Sequence, residues 1–282
     1  MRRLILTADD FGLALPVNEA IEQAHHRGVL TCASLMAAGP AADDAVARAR
    51  RMPGLGVGLH VVVVRGVPLS AAGPAPARRT RPSRLPDNLV AAGVRYFFSP
   101  RARTQLEDEI RAQFEWFAAT GLELDHVNAH CHMHVHPTVL NLILKVGREF
   151  GLRAMRVPDD PAGPRWLRPW IRHMRRKLRQ GGVRTNDFLL GLRHSGAMDT
   201  ATVLRMLREL PDGVSEMYFH PAIDSFSGAE PNYRYREEFE ALLSARVREA
   251  IEAAGLRRIR YRDLLDGDSP AGDPQVTRMG IS

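Results

Sequence analysis

The chain has little cysteine: Cys32 and Cys131 are the only two among 282 residues, and they do not form a Cys-x-x-Cys pair. A disulfide framework is therefore excluded, and a reducing compartment is expected. Lysine is equally scarce, since Lys145 and Lys177 are the only examples. The net charge of +7 is therefore carried almost entirely by arginine.

Long hydrophobic runs are also missing from the sequence. No apolar stretch approaches the roughly 18 residues of a membrane span. The apolar run Leu4–Leu6 soon meets Asp9 and Asp10, whereas a secretory signal would continue as an apolar segment. We expect a cytoplasmic protein, with peripheral contact at the inner face of the membrane as the alternative.

The arginine excess does not by itself indicate a nucleic-acid partner. Arginine, alanine, glycine and proline are all abundant, which is typical of a protein from a GC-rich genome. The sequence has no dispersed aromatic and basic platform and no known docking motif for nucleic acid. We therefore expect no nucleic-acid partner.

Short apolar runs alternate with longer amphipathic segments along most of the chain. The predicted strands are Leu4–Ala8, Thr31–Ala37, Gly56–Val63, Leu124–Ala129, Ala154–Val157, Phe188–Leu190 and Val214–Phe219. The predicted helices are Pro16–Arg27, Ala41–Arg51, Thr104–Thr120, Pro137–Phe150, Trp166–Gln180, Thr200–Leu210 and Arg236–Ala254. This alternation predicts an α/β fold: a single-domain, distorted (β/α) barrel of about seven parallel strands over residues 1–265.

Two segments depart from this pattern. Residues 65–100 are rich in proline, arginine and glycine without a clear period, and we interpret them as a loop insertion. The insertion is either a lid that contacts substrate or a disordered decoration. Residues 266–282 are predicted to form a flexible C-terminal tail.

Histidines recur at every second position after Asp125, a spacing that places their side chains on one side of an extended strand. The row comprises His126, Asn128, His130, His132, His134 and His136. Alternate side chains on a strand are about 6.6 Å apart, whereas a metal–nitrogen bond is about 2.1 Å long. We therefore expect one histidine, or two, to bind a metal ion.

Two adjacent carboxylates, Asp9 and Asp10, stand where the first predicted strand ends. Neighbouring residues on a regular strand point in opposite directions, but Gly12 follows closely and would let the backbone turn so that both face inward. Burying two charged carboxylates at a strand costs much free energy unless they bind a partner. The alternative is that one aspartate caps the helix that begins near Pro16.

Polar residues also follow other predicted strands: His60 ends the third, His130 follows the fourth, and His220 follows the seventh. The carboxyl ends of parallel strands share one face of a barrel, where active sites lie. One aspartate and two histidines would leave coordination positions open on a divalent metal, as a catalytic site requires. The second carboxylate could act as general base and His220 as general acid. The set predicts metal-assisted hydrolysis of an amide or an ester.

Four motifs in order resemble the YdjC-like (ChbG) carbohydrate deacetylases. They are Thr7-Ala8-Asp9-Asp10-Phe11-Gly12, Gly58-Leu59-His60, the histidine block after Asp125, and Phe219-His220-Pro221-Ala222. The resemblance extends from about residue 2 to residue 263. Further stretches resemble the hopanoid biosynthesis-associated branch, HpnK: Ser34-Leu35-Met36, Arg95-Tyr96-Phe97-Phe98, Leu124-Asp125-His126-Val127 and His132-Met133-His134.

The resemblance implies removal of an N-acetyl group from an amino sugar by an enzyme that holds one divalent metal ion. It assigns Asp9 as the catalytic base and Asp10, His60 and His130 as metal ligands. For the branch, the implied substrate is a glycolipid, the N-acetylglucosaminyl head of a hopanoid. Two nitrogens and one oxygen suit Zn²⁺, whereas the family is usually described with Mg²⁺.

Substrate contacts are predicted at Phe11, which follows the acidic pair, and at His132 and Arg156. For Arg156, an ion pair inside the barrel is the alternative. The family usually has aspartate at the position of Asn128. If that aspartate orients a metal-binding histidine in relatives, the asparagine of this chain would do so less strongly.

The segment Trp166–Gln180 combines an apolar stripe with many arginines. Such a helix could contact an anionic membrane surface, or it could be an outer barrel helix with its arginines in water. Two other functions remain as alternatives to a deacetylase: a metal-dependent phosphoesterase and a non-catalytic membrane-peripheral protein. Small molecules or a glycolipid are the expected partners, and a homodimer is compatible with the sequence.

Overall fold

The structure is a computed structural model that describes residues 2–72 and 84–265. Its strands are β1 (Arg3–Phe11), β2 (Cys32–Leu35), β3 (Gly56–Val61), β4 (Val127–Ala129), β5 (Phe188–Leu190), β6 (Val214–Phe219) and β7 (Arg257–Arg258). Every pairing between these strands is parallel. The sheet order is β4-β3-β2-β1-β6-β5, with β7 beside the start of β1.

The sheet curls into the distorted barrel that the sequence predicts, with β1 at its centre. Beyond β4, two isolated parallel bridges continue the wall, from Val127 to Met155 and from Ala154 to Arg184. The predicted strand Ala154–Val157 is therefore present only as these bridges. The short strand β7 was not predicted, because two arginines carry no apolar signal.

Nine α-helices lie in the described residues. They are α1 (Leu15–Arg27), α2 (Ala42–Ala49), α3 (Leu89–Phe98), α4 (Pro100–Ala119), α5 (Pro137–Glu149), α6 (Arg168–Gln180), α7 (Thr200–Arg208), α8 (Tyr235–Leu243) and α9 (Ala245–Ala253). None of these helices is long and apolar enough to cross a membrane.

The helices differ from their predictions in two places. The insertion contains the helix α3, capped by the Asn88 side chain, which accepts from the backbone N–H of Ala91. The predicted helix Arg236–Ala254 is divided at Ser244, which has an extended backbone conformation. Residues 73–83 of the insertion and the predicted tail, residues 266–282, lie outside the described residues.

The two faces of β1 have different chemistry, as the period of two in a strand requires. Leu4, Leu6 and Ala8 pack in the main hydrophobic core. On the opposite face, Thr7 donates a hydrogen bond of 2.7 Å to Glu216 of β6. Asp9 belongs to the same alternation as Thr7, so the inside of the barrel is polar toward the carboxyl end of β1, whereas Ile5, nearer its start, packs in a second apolar cluster. The outer face of β1 packs against the helices.

Candidate active site

The end of β1 separates its two carboxylates by an irregular backbone. Asp10 has a left-handed conformation with φ of 62°, and the pairing of β1 with β2 shifts register between Ala8 and Phe11. The predicted turn therefore occurs at Asp10 itself and not only at Gly12, which also has a positive φ of 95°. As a result, neighbouring aspartates can both be buried and still contact different partners.

Asp10 meets His60 and His130 at the carboxyl edge of the sheet. Its Oδ1 lies 3.3 Å from His60 Nε2 and 3.2 Å from His130 Nδ1, and the two nitrogens are 3.3 Å apart. Tetrahedral bonds of about 2.1 Å would separate ligand atoms by about 3.4 Å. Asp10 Oδ1 is buried and makes no hydrogen bond. The three predicted ligand residues are thus brought together with the spacing of a divalent-metal site.

The electrostatics of this group also suit a cation. Burial alone would raise the pKa of Asp10, but His130 and His60 hold it well below its ordinary value. Burial would lower the pKa of His130, but the Asp10 carboxylate outweighs it and raises that pKa to about 10. The buried carboxylate therefore attracts positive charge, and a divalent ion would compete for the imidazoles with protons.

The histidine row does not continue as a strand. The strand β4 ends at Ala129, and residues His130–Val135 form a 3₁₀ turn in which Cys131 and His132 are left-handed, each with φ of 52°. The prediction that all the imidazoles share one side of a strand is therefore wrong. Histidines at every second position are also compatible with a chain that leaves the strand and turns immediately. Here the turn directs His130 toward Asp10.

The later histidines occupy different environments. His132 packs edge-on against Tyr218, with ring centroids 5.2 Å apart, and burial lowers its pKa to about 3. His134 is fully buried, and neither of its ring nitrogens has a hydrogen-bond partner. His136 directly precedes α5 and lies beside Gly93 and Phe97 of the insertion. His132 thus reaches the wall of the site, whereas His134 lies beneath it.

Asn128 connects Asp9 to His60. Its Oδ1 lies 2.6 Å from His60 Nδ1, and its Nδ2 donates hydrogen bonds of 2.9 Å to both Asp9 and Ser34. His60 Nδ1 must therefore carry a proton, which leaves Nε2 free toward Asp10. The histidine that Asn128 orients is His60 and not His130.

Behind Asn128, a buried chain of polar groups extends toward the opposite end of the barrel. Ser34 Oγ lies 3.1 Å from His126 Nε2, and His126 Nδ1 lies 2.9 Å from Asp125 Oδ2. Burial would raise the pKa of Asp125, but His126 and Arg262 lower it to about 2. An ionised Asp125 accepts from His126 Nδ1, so Nε2 accepts from the Ser34 hydroxyl, which in turn accepts from Asn128.

Asp9 is held by a buried ion pair. Arg156 Nη1 and Nη2 donate to its two oxygens at 2.6 and 3.1 Å, and Arg156 also donates to Glu216 at 2.7 Å. The hydroxyl of Tyr261 donates to the other Glu216 oxygen at 2.5 Å. Burial would raise the pKa of Asp9, but Arg156 and then His60 hold it well below its ordinary value. Asp9 is therefore an ionised carboxylate at neutral pH, and the hydrogen bonds from Arg156 and Asn128 fix its orientation.

His220 lies on the other side of the site and is mostly buried. Its backbone N–H donates to Glu238 at 2.5 Å, and its ring packs 4.9 Å from the ring of Tyr233. The ring Nδ1 has no hydrogen-bond partner, although Glu238 Oε2 lies 4.0 Å away. His220 contributes to the low pKa of Asp9 and of His132, so the three residues lie near one another.

Two predicted substrate contacts are corrected by the structure. Phe11 is fully buried in the main core, so its side chain presents no surface to a substrate. Arg156 is also fully buried and directs its donors to Asp9 and Glu216. The alternative for Arg156, an ion pair inside the barrel, is the one that the structure contains.

Sequence reasoning missed Glu216, Ser34 and Tyr261. Glu216 left a signal, because a carboxylate in the middle of the apolar strand β6 must find a buried partner. Ser34 in the strand β2 and Tyr261 left none, since a serine or a tyrosine in an apolar context is unremarkable.

Comparisons with known proteins find relatives that match most of this chain. The model of the family described as "YdjC-like protein" matches residues 3–253. A "Carbohydrate deacetylase" of Brevibacillus brevis is 32% identical over 270 residues, covering 93% of this chain and 99% of the relative. A protein of the same description from Geobacillus stearothermophilus is 29% identical, covering 93% of this chain and 98% of the relative.

A solved structure supports the fold independently. It is described as a putative cellobiose-phosphate cleavage protein from Enterococcus faecalis, and it covers 93% of this chain and 98% of its own, with a TM-score of 0.73 and 24% identity. At that identity the likeness establishes the fold alone. The family match spans nearly the whole barrel, including every strand end that carries a site residue, and the chain therefore belongs to the YdjC-like family.

Proposed function

We propose that this chain is a metal-dependent hydrolase that removes the N-acetyl group from an amino sugar. The observation that carries the proposal is the convergence of Asp10, His60 and His130 beside an ionised Asp9. The names of the Brevibacillus and Geobacillus relatives support the reaction class, because both are carbohydrate deacetylases that align over almost their whole length.

Asp10, His60 and His130 would hold one divalent ion, either Zn²⁺ or Mg²⁺. An ion bound there would supply Lewis acidity, polarising the amide carbonyl and making a neighbouring water acidic enough to yield its proton. His60 is prepared for this role because Asn128 keeps the proton on Nδ1 and leaves Nε2 bare.

Asp9 is the proposed general base. A carboxylate with a lowered pKa stays ionised throughout the neutral range, so its oxygens are available to accept a proton, but the low pKa also makes it a weak base. It accepts one only from a donor more acidic than free water. Arg156 and Asn128 fix both Asp9 oxygens in place, so the base needs little reorganisation when the proton arrives.

His220 is the proposed general acid. The water oxygen bonds to the acetyl carbon, Asp9 takes the water proton, and His220 donates a proton to the amine nitrogen as the C–N bond breaks. The products are acetate and the free amino sugar. His132 and Tyr218 form the wall between the acid and the base, where the sugar ring would pack.

We further propose that the amino sugar is the N-acetylglucosaminyl head of a hopanoid glycolipid. This substrate rests on the motifs that resemble the hopanoid-associated branch. A soluble chito-oligosaccharide offers the same acetamide without the lipid and is the natural comparison.

The test is incubation of metal-loaded protein with N-acetylglucosaminyl lipid and, separately, with chito-oligosaccharide, followed by assay of released acetate. Asp9→Asn should abolish turnover while the bound metal stays, whereas the exposed control Asp87→Asn should behave as wild type. Release of no acetate from either substrate, or full activity of Asp9→Asn, would refute the deacetylase. Two tightly bound ions per chain and release of phosphate from phosphoesters would favour a phosphoesterase instead.

A further inference from the structure

The large apolar side chains that the described residues expose are all in connections at one edge of the barrel. They are Leu15, Val67, Val90, Val94, Phe97, Phe98 and Trp166. Leu15 follows β1, the residues from Val67 to Phe98 follow β3, and Trp166 follows the bridged residues 154–155. In a parallel sheet these connections leave the carboxyl ends of the strands, so the exposed apolar groups lie on the same face of the barrel as the site described above.

Specific contacts bring one of these groups, Phe97, and the partly buried Trp170 to the segment that carries His130. On one side, the Phe97 ring lies 6.3 Å from the ring of His136. On the other side, Trp170 near the start of α6 donates a hydrogen bond of 2.9 Å to the carbonyl of Val135. The turn is therefore held between α3, whose large aromatic residue Phe98 is 72% exposed, and α6, which closely follows Trp166, 79% exposed.

The helix α6 itself cannot insert an apolar stripe into a membrane. Ile171, Met174 and Leu178 are buried in the main core, as expected of an outer barrel helix. Only Trp166, just before the helix, is exposed among the large apolar residues of this segment. The exposed apolar surface of this segment is therefore limited to Trp166 at the carboxyl edge of the barrel and does not extend along the helix.

Arginines stand among the apolar groups at this edge. Arg101 and Arg103 begin α4, and Arg165 and Arg168 precede and begin α6; all are exposed. Within residues 2–72 and 84–265, no carboxylate pairs with any of them, and Arg168 contacts only the carbonyl of Pro161. Among the nearby acids, Glu230 is already paired with Arg65. The edge thus offers unpaired positive charge beside exposed aromatic and aliphatic side chains.

We propose that this apolar and basic rim seats the mouth of the site on a lipid bilayer that carries anionic headgroups. Tryptophan, phenylalanine and arginine are the residues that bind such an interface, where apolar groups enter the headgroup layer and cations attract anionic lipid. Docking to the bilayer does not depend on the proposed deacetylation. The further consequence of docking, that a lipid presents the amino sugar to the site, does rest on the proposed function.

The test is sedimentation of the full chain with vesicles of phosphatidylcholine alone and of phosphatidylcholine mixed with phosphatidylglycerol. The wild type should sediment with the mixed vesicles and remain largely in solution with the neutral ones. The double variants Phe98→Ser with Trp166→Ser, and Arg165→Gln with Arg168→Gln, should each weaken binding about tenfold or more. The control, Arg176→Gln with Arg179→Gln, removes the same charge from the far end of α6 and should change binding little.

Failure of the wild type to sediment with either vesicle would overturn the proposal, and so would an equal loss in the control. Deacetylation of soluble chito-oligosaccharide by the rim variants separates docking from catalysis, because none of the substituted residues lies in the site. If vesicles bind but no sugar is deacetylated, docking stands and the proposed function fails. If the sugar is deacetylated but no vesicle binds, the proposed function stands and docking fails.

Discussion

Replacing Arg156 by methionine would remove the only cation that pairs with Asp9 and Glu216 in the described residues. The methionine would fill much of the same space, while two carboxylates would be left facing one another inside the barrel. Arg156 has no exposed side-chain surface, and the side chain of Asp9 is 3% exposed. Breaking a buried pair of this kind costs about 3–5 kcal/mol, because the remaining charge is uncompensated.

This cost corresponds to a measurable loss of thermal stability. A change of 1 kcal/mol shifts the Tm of a large domain by about 2 °C, so Arg156→Met should lower Tm by about 6–10 °C at neutral pH. Arg111→Met is the matched control, since Arg111 also pairs with both oxygens of a carboxylate, Glu149, at 2.7 Å, but at the exposed surface. Its Tm should change much less.

The pH dependence distinguishes lost charge pairing from lost packing. In the wild type the pKa of Asp9 is lowered, so its stabilisation is complete above the unfolded value of about 4 and is lost only as pH falls toward the folded pKa. Without Arg156, burial would raise that pKa, and protonation would relieve the penalty as pH falls. The Tm difference between variant and wild type should therefore be largest near pH 7 and should shrink toward pH 4. A constant difference measured by calorimetry at both values would refute the electrostatic explanation.

Three further predictions concern the ligands and the polar chain behind them. His60→Ala and His130→Ala should each lower metal content by mass spectrometry together with acetate release, and full metal retention by either would contradict the ligand assignment. Asp125→Asn should remove about 2 kcal/mol of unfolding free energy at neutral pH. This difference should fade between about pH 4 and pH 2, because the stabilisation by a carboxylate with a lowered pKa is lost as pH falls from its unfolded pKa to its folded pKa. An undiminished difference at pH 2 would contradict this. Ser34→Ala should reduce kcat more than KM without unfolding the chain, since Asn128 loses one acceptor; Ser34→Thr should restore kcat, and unchanged kcat in the alanine variant would exclude a positioning role.

The arrangement of strand ends could be predicted from sequence because each depends on a local signal. Apolar runs mark β1, β3 and β6, and each is followed by the polar residues that meet at the carboxyl edge: Asp9 and Asp10, His60 and His220. A parallel sheet then brings distant residues together without further information. The roles of these residues in metal binding and catalysis remain predictions.

Backbone reversals could not be predicted in the same way. Alternating histidines are compatible with a strand and also with the turn that begins at His130. The turn depends on the backbone angles of Cys131 and His132, and the spacing of the histidines does not determine those angles. The partners of Arg156 were equally hidden. The two predicted partners of the Arg156 side chain were a sugar and a carboxylate inside the barrel. Which one it contacts depends on whether Glu216 faces Arg156 across the barrel, and the register of β6 against β1 decides that.

Left-handed residues other than glycine occur at four described positions: Asp10, Arg65, Cys131 and His132. Three of them belong to the two segments that carry Asp10 and His130, and each such conformation costs on the order of 1 kcal/mol. Glycine would relieve that cost at any of these positions. At Asp10 it would also delete a carboxylate, and at His132 it would delete a wall of the pocket. A screen for thermostable variants would therefore select substitutions at residues that the proposed chemistry requires. Variants that gain stability at these positions should lose activity.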